Sequence, residues 1–102
     1  MVNALEVLED GTHTEVCMKS EALDSAKVYC VVDHTAKNIF IWLGQKANVR
    51  LRFVGAQTAA SVRSDIGLHY KVLSIDEGEE PNSFIQVLNA PMPNVGTQQT
   101  TT

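Results

Sequence analysis

Basic residues are scarce in this chain. Eight Lys and Arg face twelve Asp and Glu, and the formal net charge is −4. A nucleic-acid binder usually carries a basic stripe, so the balance argues against that class. Cysteine is scarcer still. Cys17 and Cys30 are too few for a disulfide scaffold, and both sit in strand-like runs where small buried hydrophobes in a reducing cytosol are expected. No apolar run approaches the ~20 residues of a membrane span. The opening "MVNALEVLEDG" has no basic start and no long apolar core, so no signal peptide is expected there and a cytoplasmic location is. There is no GxxxxGK[ST] and no GxGxxG to cradle a phosphate. His13, His34 and His69 lie far apart, without HxxxH or CxxC spacing, and read as surface or rim histidines. Neither cysteine has an activating neighbour in sequence. The densest acidic run, "DEGEE" (76–80), lacks the D-x-D-x-D spacing of a calcium loop. It reads as a solvated turn before a helix whose positive end favours Glu79 and Glu80. With no catalytic constellation, enzymatic activity is not expected.

What remains is a chain of 102 residues with 44% hydrophobic and 20% charged content, ordinary for one soluble domain. A chain of this size buries about 65% of its unfolded surface, enough for one modest core. No internal repeat is visible.

Two runs carry most of the apolar weight. "KVYCVVD" (27–33) alternates Val28, Cys30 and Val32 against Tyr29 and Val31. "NIFIWLG" (38–44) alternates Ile39, Ile41 and Leu43 against Phe40 and Trp42. Strands apolar on both faces are covered above and below, so these two are predicted to form a central hairpin around "HTAKN". "ALEVLED" is predicted as a short edge strand, "HTEVCMKS" as a second strand and "LHYKVLSIDE" (68–77) as a fifth.

Between the fourth and fifth strands the pattern changes period. Asn48 is a good N-cap, the run 49–66 has no proline, and Gly67 is a natural stop. Leu51, Val54, Thr58, Val62 and Ile66 recur at helical spacing and should pack on the sheet. Gly55 and Ala59 beside them allow close approach, although Gly55 weakens the helix by up to ~1 kcal/mol relative to alanine. Arg50, Phe53, Gln57, Ala60, Ser61 and Ser64 form the opposite stripe and should face solvent. Phe53 flanked by small residues is the kind of anchor that docks a helix in a partner's groove. "GEEPNSFIQVLN" is predicted as a short second helix with Phe84, Ile85 and Leu88 on its apolar side and Pro81 in its first turn. The expected architecture is an α/β sandwich: a central five-stranded mixed sheet, one long helix on one face and one short helix on the other. The domain should span residues 1–89. The Pro/Thr-rich stretch 90–102 should be a mobile tail.

The order of these elements and two motifs resemble a gelsolin-like domain, the repeat unit of gelsolin, villin and severin. "VYCVVDHTAKNIFIWLGQKAN" is similar to that family's central hairpin, with its WxG strand end. "VLSIDEGEEPNSFIQVL" is similar to its closing strand, EGxEP turn and short helix. The match covers roughly residues 4 to 89. A lone domain of this size resembles the minimal gelsolins of archaea that possess eukaryote-like actins.

The resemblance implies actin binding, by a long helix docked in the cleft between two actin subdomains. Alignment on the Trp-x-Gly places the family's contacts on Arg50, Phe53, Gln57, Ala60, Ser61 and Ser64. The family's large aliphatic contact falls on Gln57, leaving Phe53, one turn earlier, as the apolar anchor. The outcome implied for a single domain, expected to be a monomer, is monomer sequestration or filament capping, with at most weak severing. The alternative is a gelsolin-fold interaction module that does not bind actin. The resemblance also bears on calcium. The family's intradomain site falls on Ala26, Lys27 and Leu51, which offer a positive charge and an apolar side chain where hard oxygens are needed, so this site should be lost. The family's second calcium site bridges to actin through an Asp near the helix end. Arg63 takes that place by strict alignment, but Asp65 with a carbonyl near Gly67 offers a substitute, so calcium at the actin interface is expected there if anywhere. No cofactor is otherwise required.

Overall fold

The structure, a computed structural model, describes residues 2–89. Five strands, β1 (Val2–Val7), β2 (His13–Met18), β3 (Val28–Asp33), β4 (Asn38–Leu43) and β5 (Lys71–Asp76), form one sheet in the order β2-β1-β3-β4-β5. All neighbours are antiparallel except β4 and β5, which run parallel. A parallel pair needs a long crossover. Helix α1 (Val49–Ile66) supplies it and covers one face of the sheet. Helix α2 (Asn82–Asn89) covers the other. The expected tail, 90–102, lies outside the described residues.

The alternation along β3 and β4 divides the core in two. Val28, Cys30, Ile39 and Ile41 meet Leu51, Val54 and Ala59 of α1. Tyr29, Val31, Phe40 and Trp42 meet Ile75, Phe84 and Leu88 on the α2 side. Phe40 and Phe84 pack edge to face, with centroids 5.2 Å apart, a favoured geometry for aromatic quadrupoles.

The ends of α1 follow the sequence signals. Asn48 Oδ1 accepts the Leu51 N–H at 2.8 Å, and Gly67 closes the helix with its N–H on the Arg63 carbonyl at 2.9 Å. Gly55 sits where the helix nearly touches the sheet. A Cβ there would stand 2.7 Å from Cγ1 of Val28.

Four expectations need correction. Residues 2–7 form an interior strand rather than an edge strand. Ala4 and Val7 are buried on opposite faces, and β2, not β1, forms the margin. Cys17 is exposed rather than buried, because it lies on that marginal β2. Ile66 is 37% exposed, since it occupies the terminal turn of α1, beyond Val62, the last α1 side chain packed on the core. The fifth strand begins at Lys71 rather than Leu68. The residues before it form a turn in which Tyr70 N–H bonds the Gly67 carbonyl and Arg63 spans the Leu68 and Tyr70 carbonyls at 2.6 and 2.8 Å.

The acidic run 76–80 is also more than a solvated turn. Glu80 Oε2 accepts the Trp42 indole N–H at 2.8 Å and the Gly78 N–H at 3.1 Å. Glu77 accepts the Gln45 N–H at 2.8 Å and the Ser25 hydroxyl at 2.6 Å. These bonds join the two motifs in space: the EGxEP turn clamps the WxG end of β4. Trp42 chiefly holds the Glu80 carboxyl below the usual carboxylate range, and Gln45, followed by Ser25, does the same for Glu77. Gly44 is needed because the 25–27 segment passes against it. A Cβ there would meet the Ser25 and Lys27 carbonyls far inside van der Waals contact. Arg52 donates to the Gly44 carbonyl at 3.0 Å, tying the first turn of α1 to the same junction.

Candidate functional site

The outward face of α1 is the feature that the core does not use. Arg50, Phe53, Gln57, Ala60, Ser61 and Ser64 are all exposed. Phe53 stands out, with 56% of its surface in contact with solvent. More than half of this residue's surface is thus left uncovered by the fold.

Two further residues complete the face. Val49 is 82% exposed and Ala56 is exposed. With Phe53 and Ala60 they fall at spacings of four, three and four, which stack on one helix surface as a single apolar ridge. Sequence reasoning missed both. The signal was available, because an apolar i, i+4, i+7, i+11 series on the outward side is as regular as the inward one. Arg50, Gln57, Ser61 and Ser64 border the ridge on one flank.

The β1–β2 turn braces the start of this face. Arg50 Nε donates to the Glu9 carbonyl at 2.9 Å, and Asn48 Nδ2 donates to Glu9 Oε1 at 3.1 Å. Arg50 is therefore partly committed to the fold. At the other flank Arg52 lies 3.9 Å from Asp76, a half-exposed pair worth little by itself.

The residues aligned with calcium ligands sit apart from that chemistry. Lys27 Nζ pairs with Glu6 at 3.2 Å, and Leu51 lies in the core beneath α1. Ala26 offers only its backbone. This set does not fit a calcium ion. Asp65 is exposed, and the Gly67 carbonyl accepts the Tyr70 N–H at 3.2 Å. Arg63 is fixed on the next carbonyl of that loop, so a positive charge stands beside it. Two oxygens fall well short of the six to eight that calcium takes. Among the described residues no group of three or more His, Cys, Asp or Glu gathers into a metal site.

The remaining reactive groups are dispersed. His34 Nδ1 hydrogen-bonds the Tyr70 hydroxyl at 2.7 Å, and the His69 ring packs against the Tyr70 ring. Burial pushes the Cys30 thiol up to about 12, so it stays protonated. No described helix is long and apolar enough to cross a membrane.

A family model, the gelsolin repeat, matches residues 13–85. The chain belongs to the gelsolin-repeat family. The matched segment runs from β2 into α2, and so includes the whole of α1 and both clamped motifs. Among solved structures, the gelsolin-fold Thorarchaeota ProGel, crystallised in complex with rabbit actin, is 32% identical. It superposes with a TM-score of 0.80, covering 87% of this chain and 100% of that one. Thorarchaeota 2DGel3, also crystallised with rabbit actin, is 26% identical with a TM-score of 0.72. The gelsolin-repeat chain described here aligns over 84% of its own length with 44% of that larger relative. A search of curated proteins found no match.

Proposed function

We propose that this protein binds actin by laying the outward face of α1 into a hydrophobic cleft on the actin surface. The observation that carries the reading is the exposed ridge Val49–Phe53–Ala56–Ala60, on the long helix of a fold shared with a relative, matched along 100% of its chain, that was crystallised with actin. Phe53 is the anchor. Its aromatic ring supplies the large apolar contact that Gln57, one turn on, cannot. Ala56 and Ala60 keep the helix surface low enough for close approach, and Gln57, Ser61 and Ser64 form a polar flank.

One such face holds one actin subunit. The outcome is therefore sequestration of monomers or capping of a filament end rather than efficient severing. The protein acts by binding, without catalysis and without a resident metal. Any calcium at Asp65 and Gly67 draws most of its ligands from the actin side, so the free chain binds none. We place it in the cytoplasm, with its partner.

Actin polymerisation followed in the presence of a molar excess of this protein, with and without a calcium chelator, tests the reading. Assembly should slow under both conditions. A normal assembly rate refutes actin binding and leaves the fold serving some other protein partner.

A further inference from the structure

Exposed aliphatic surface is not confined to the α1 ridge. Val72 is 39% exposed and Leu73 40% exposed, and both lie on β5, the last strand of the sheet. The opposite margin, β2, presents His13, Thr14, Glu15 and Cys17 to solvent instead. The β5 edge thus adds exposed aliphatic side chains to its polar Lys71, Ser74 and Asp76. A partly apolar edge with unpaired backbone groups is a template for another strand.

The hydrogen bonds to β4 show which backbone groups are free. Lys71 N–H bonds the Lys37 carbonyl at 2.9 Å, and Glu77 N–H bonds the Leu43 carbonyl at 3.0 Å. In a parallel ladder alternate residues turn both N–H and C=O toward the same neighbour. The odd-numbered residues of β5 thus face β4, and Val72, Ser74 and Asp76 face outward; of these groups the Asp76 carbonyl already accepts the Glu79 N–H at 3.0 Å, leaving it one lone pair for a further strand.

We propose that this edge is a self-association site, at which two copies of the chain pair antiparallel about Ser74 and join their sheets. Pairing about Ser74 opposes Ser74 to the second copy's Ser74, and Val72 to its Asp76, which matches outward group to outward group. Leu73 then falls opposite the second copy's Ile75. There it meets a groove of about 440 Å³ along β5, lined by Phe40, Leu73, Ile75, Pro81 and Ser83 among others. The strand is also complementary in charge to itself. Lys71 heads it and Asp76 and Glu77 close it, so antiparallel pairing brings each head to the other's acidic end.

The symmetry has a consequence that rests on the actin reading. Antiparallel pairing of identical strands uses a two-fold axis perpendicular to the sheet, which keeps like faces together. Both α1 helices then lie on one side of a ten-stranded sheet, and the dimer presents two Phe53 ridges in one direction. A lone domain has one actin-docking face, whereas this dimer has two. One strand pair buries less than the ~1,600 Å² of a standard interface, so the dimer should exchange with monomer rather than be obligate.

Sedimentation velocity of the chain alone, from low micromolar to near-millimolar concentration, tests the site without actin. The mass should rise from 11.2 kDa toward twice that value. Ser74→Pro removes an outward N–H that the β4 ladder does not use, so the variant should keep its circular dichroism spectrum and stay monomeric. Leu73→Lys is the second variant, should Ser74→Pro misfold. The register is tested by oxidation in a Cys17→Ser background. Ser74→Cys should cross-link, because opposed Cα atoms about 5.5 Å apart suit a disulfide. Asp76→Cys should not, since its counterpart lies roughly 13 Å along the strand. A wild-type chain monomeric at every concentration overturns the proposal. So does self-association that Ser74→Pro and Leu73→Lys leave intact, or equal cross-linking at both cysteines. Dimerisation without actin binding would refute the proposed function and leave this inference standing.

Discussion

Gly55→Ala sets two effects against each other. Alanine in a helix interior is favoured over glycine by up to ~1 kcal/mol. The added Cβ would stand 2.7 Å from Val28 Cγ1 and 3.5 Å from Ile41 Cγ2. Carbon atoms settle at about 3.5–4.0 Å, so helix and sheet must part by roughly 1 Å or Val28 must turn. Val28 is fully buried and β-branched, which leaves it one comfortable rotamer and no room for another. Lifting α1 loosens Leu51, Val54 and Ala59 together. Because Val28 cannot yield, the overpacking cost falls in the upper part of the usual range of about 1–3 kcal/mol, at about 2–3 kcal/mol, and subtracting the ~1 kcal/mol propensity gain leaves a net loss of about 1–2 kcal/mol. At ~4–8 °C per kcal/mol for a domain of this size, Tm should fall by about 4–16 °C. Thermal unfolding followed by circular dichroism measures it. Val28→Ala removes the obstructing methyl groups, so its own cavity cost should shrink by about 1 kcal/mol in the Gly55→Ala background. A Gly55→Ala protein as stable as the parent, or more so, would refute the close approach of helix and sheet.

Three further outcomes follow from the same contacts. Glu77 and Glu80 have carboxyls held below their unfolded values, so their contribution is present above the ordinary carboxylate range and is lost as pH falls through the depressed values. The urea midpoint should decline below about pH 4.5. Trp42→Phe removes the main donor to Glu80, should cost about 1.5–3 kcal/mol at neutral pH, and should flatten that acid limb. An unchanged acid slope would count against the clamp. Cys17 should react at once with a thiol reagent, whereas Cys30, buried with its thiol pushed up to about 12, should react only on unfolding. Two thiols modified at one rate would contradict the burial of Cys30. Excess calcium should leave Tm of the free chain unchanged from that in chelator, because Lys27 and Leu51 offer no ligand. A calcium-dependent rise in Tm would show a site these residues do not explain.

The parts legible in the sequence were those set by period and by caps. Alternation along 28–33 and 38–43 assigned each side chain to the correct face of the sheet, and Asn48 and Gly67 marked α1 at the right residues. The misplacement of β1 came from pairing order, a long-range choice that a short edge-like pattern cannot report. Cys17 was misread for the same reason, since burial on a marginal strand depends on what lies beyond it. The clamp from Glu77 and Glu80 escaped because its partners, Gln45, Ser25 and Trp42, lie 32 to 52 residues away in the chain. Of the proposed docking face, Phe53 and its polar flank were visible as the complement of the inward stripe. Val49 was overlooked because it opens the helix, where residues are usually judged as caps.

Gel filtration of monomeric actin with this protein, alongside its Phe53→Asp variant, tests the central claim most directly. Phe53 is exposed, so the substitution should leave Tm unchanged while weakening actin binding by ~2–4 kcal/mol, or roughly 30- to 700-fold. The account predicts co-elution of the parent chain with actin and its loss in the variant. A folded Phe53→Asp protein that co-elutes with actin as the parent does would contradict it.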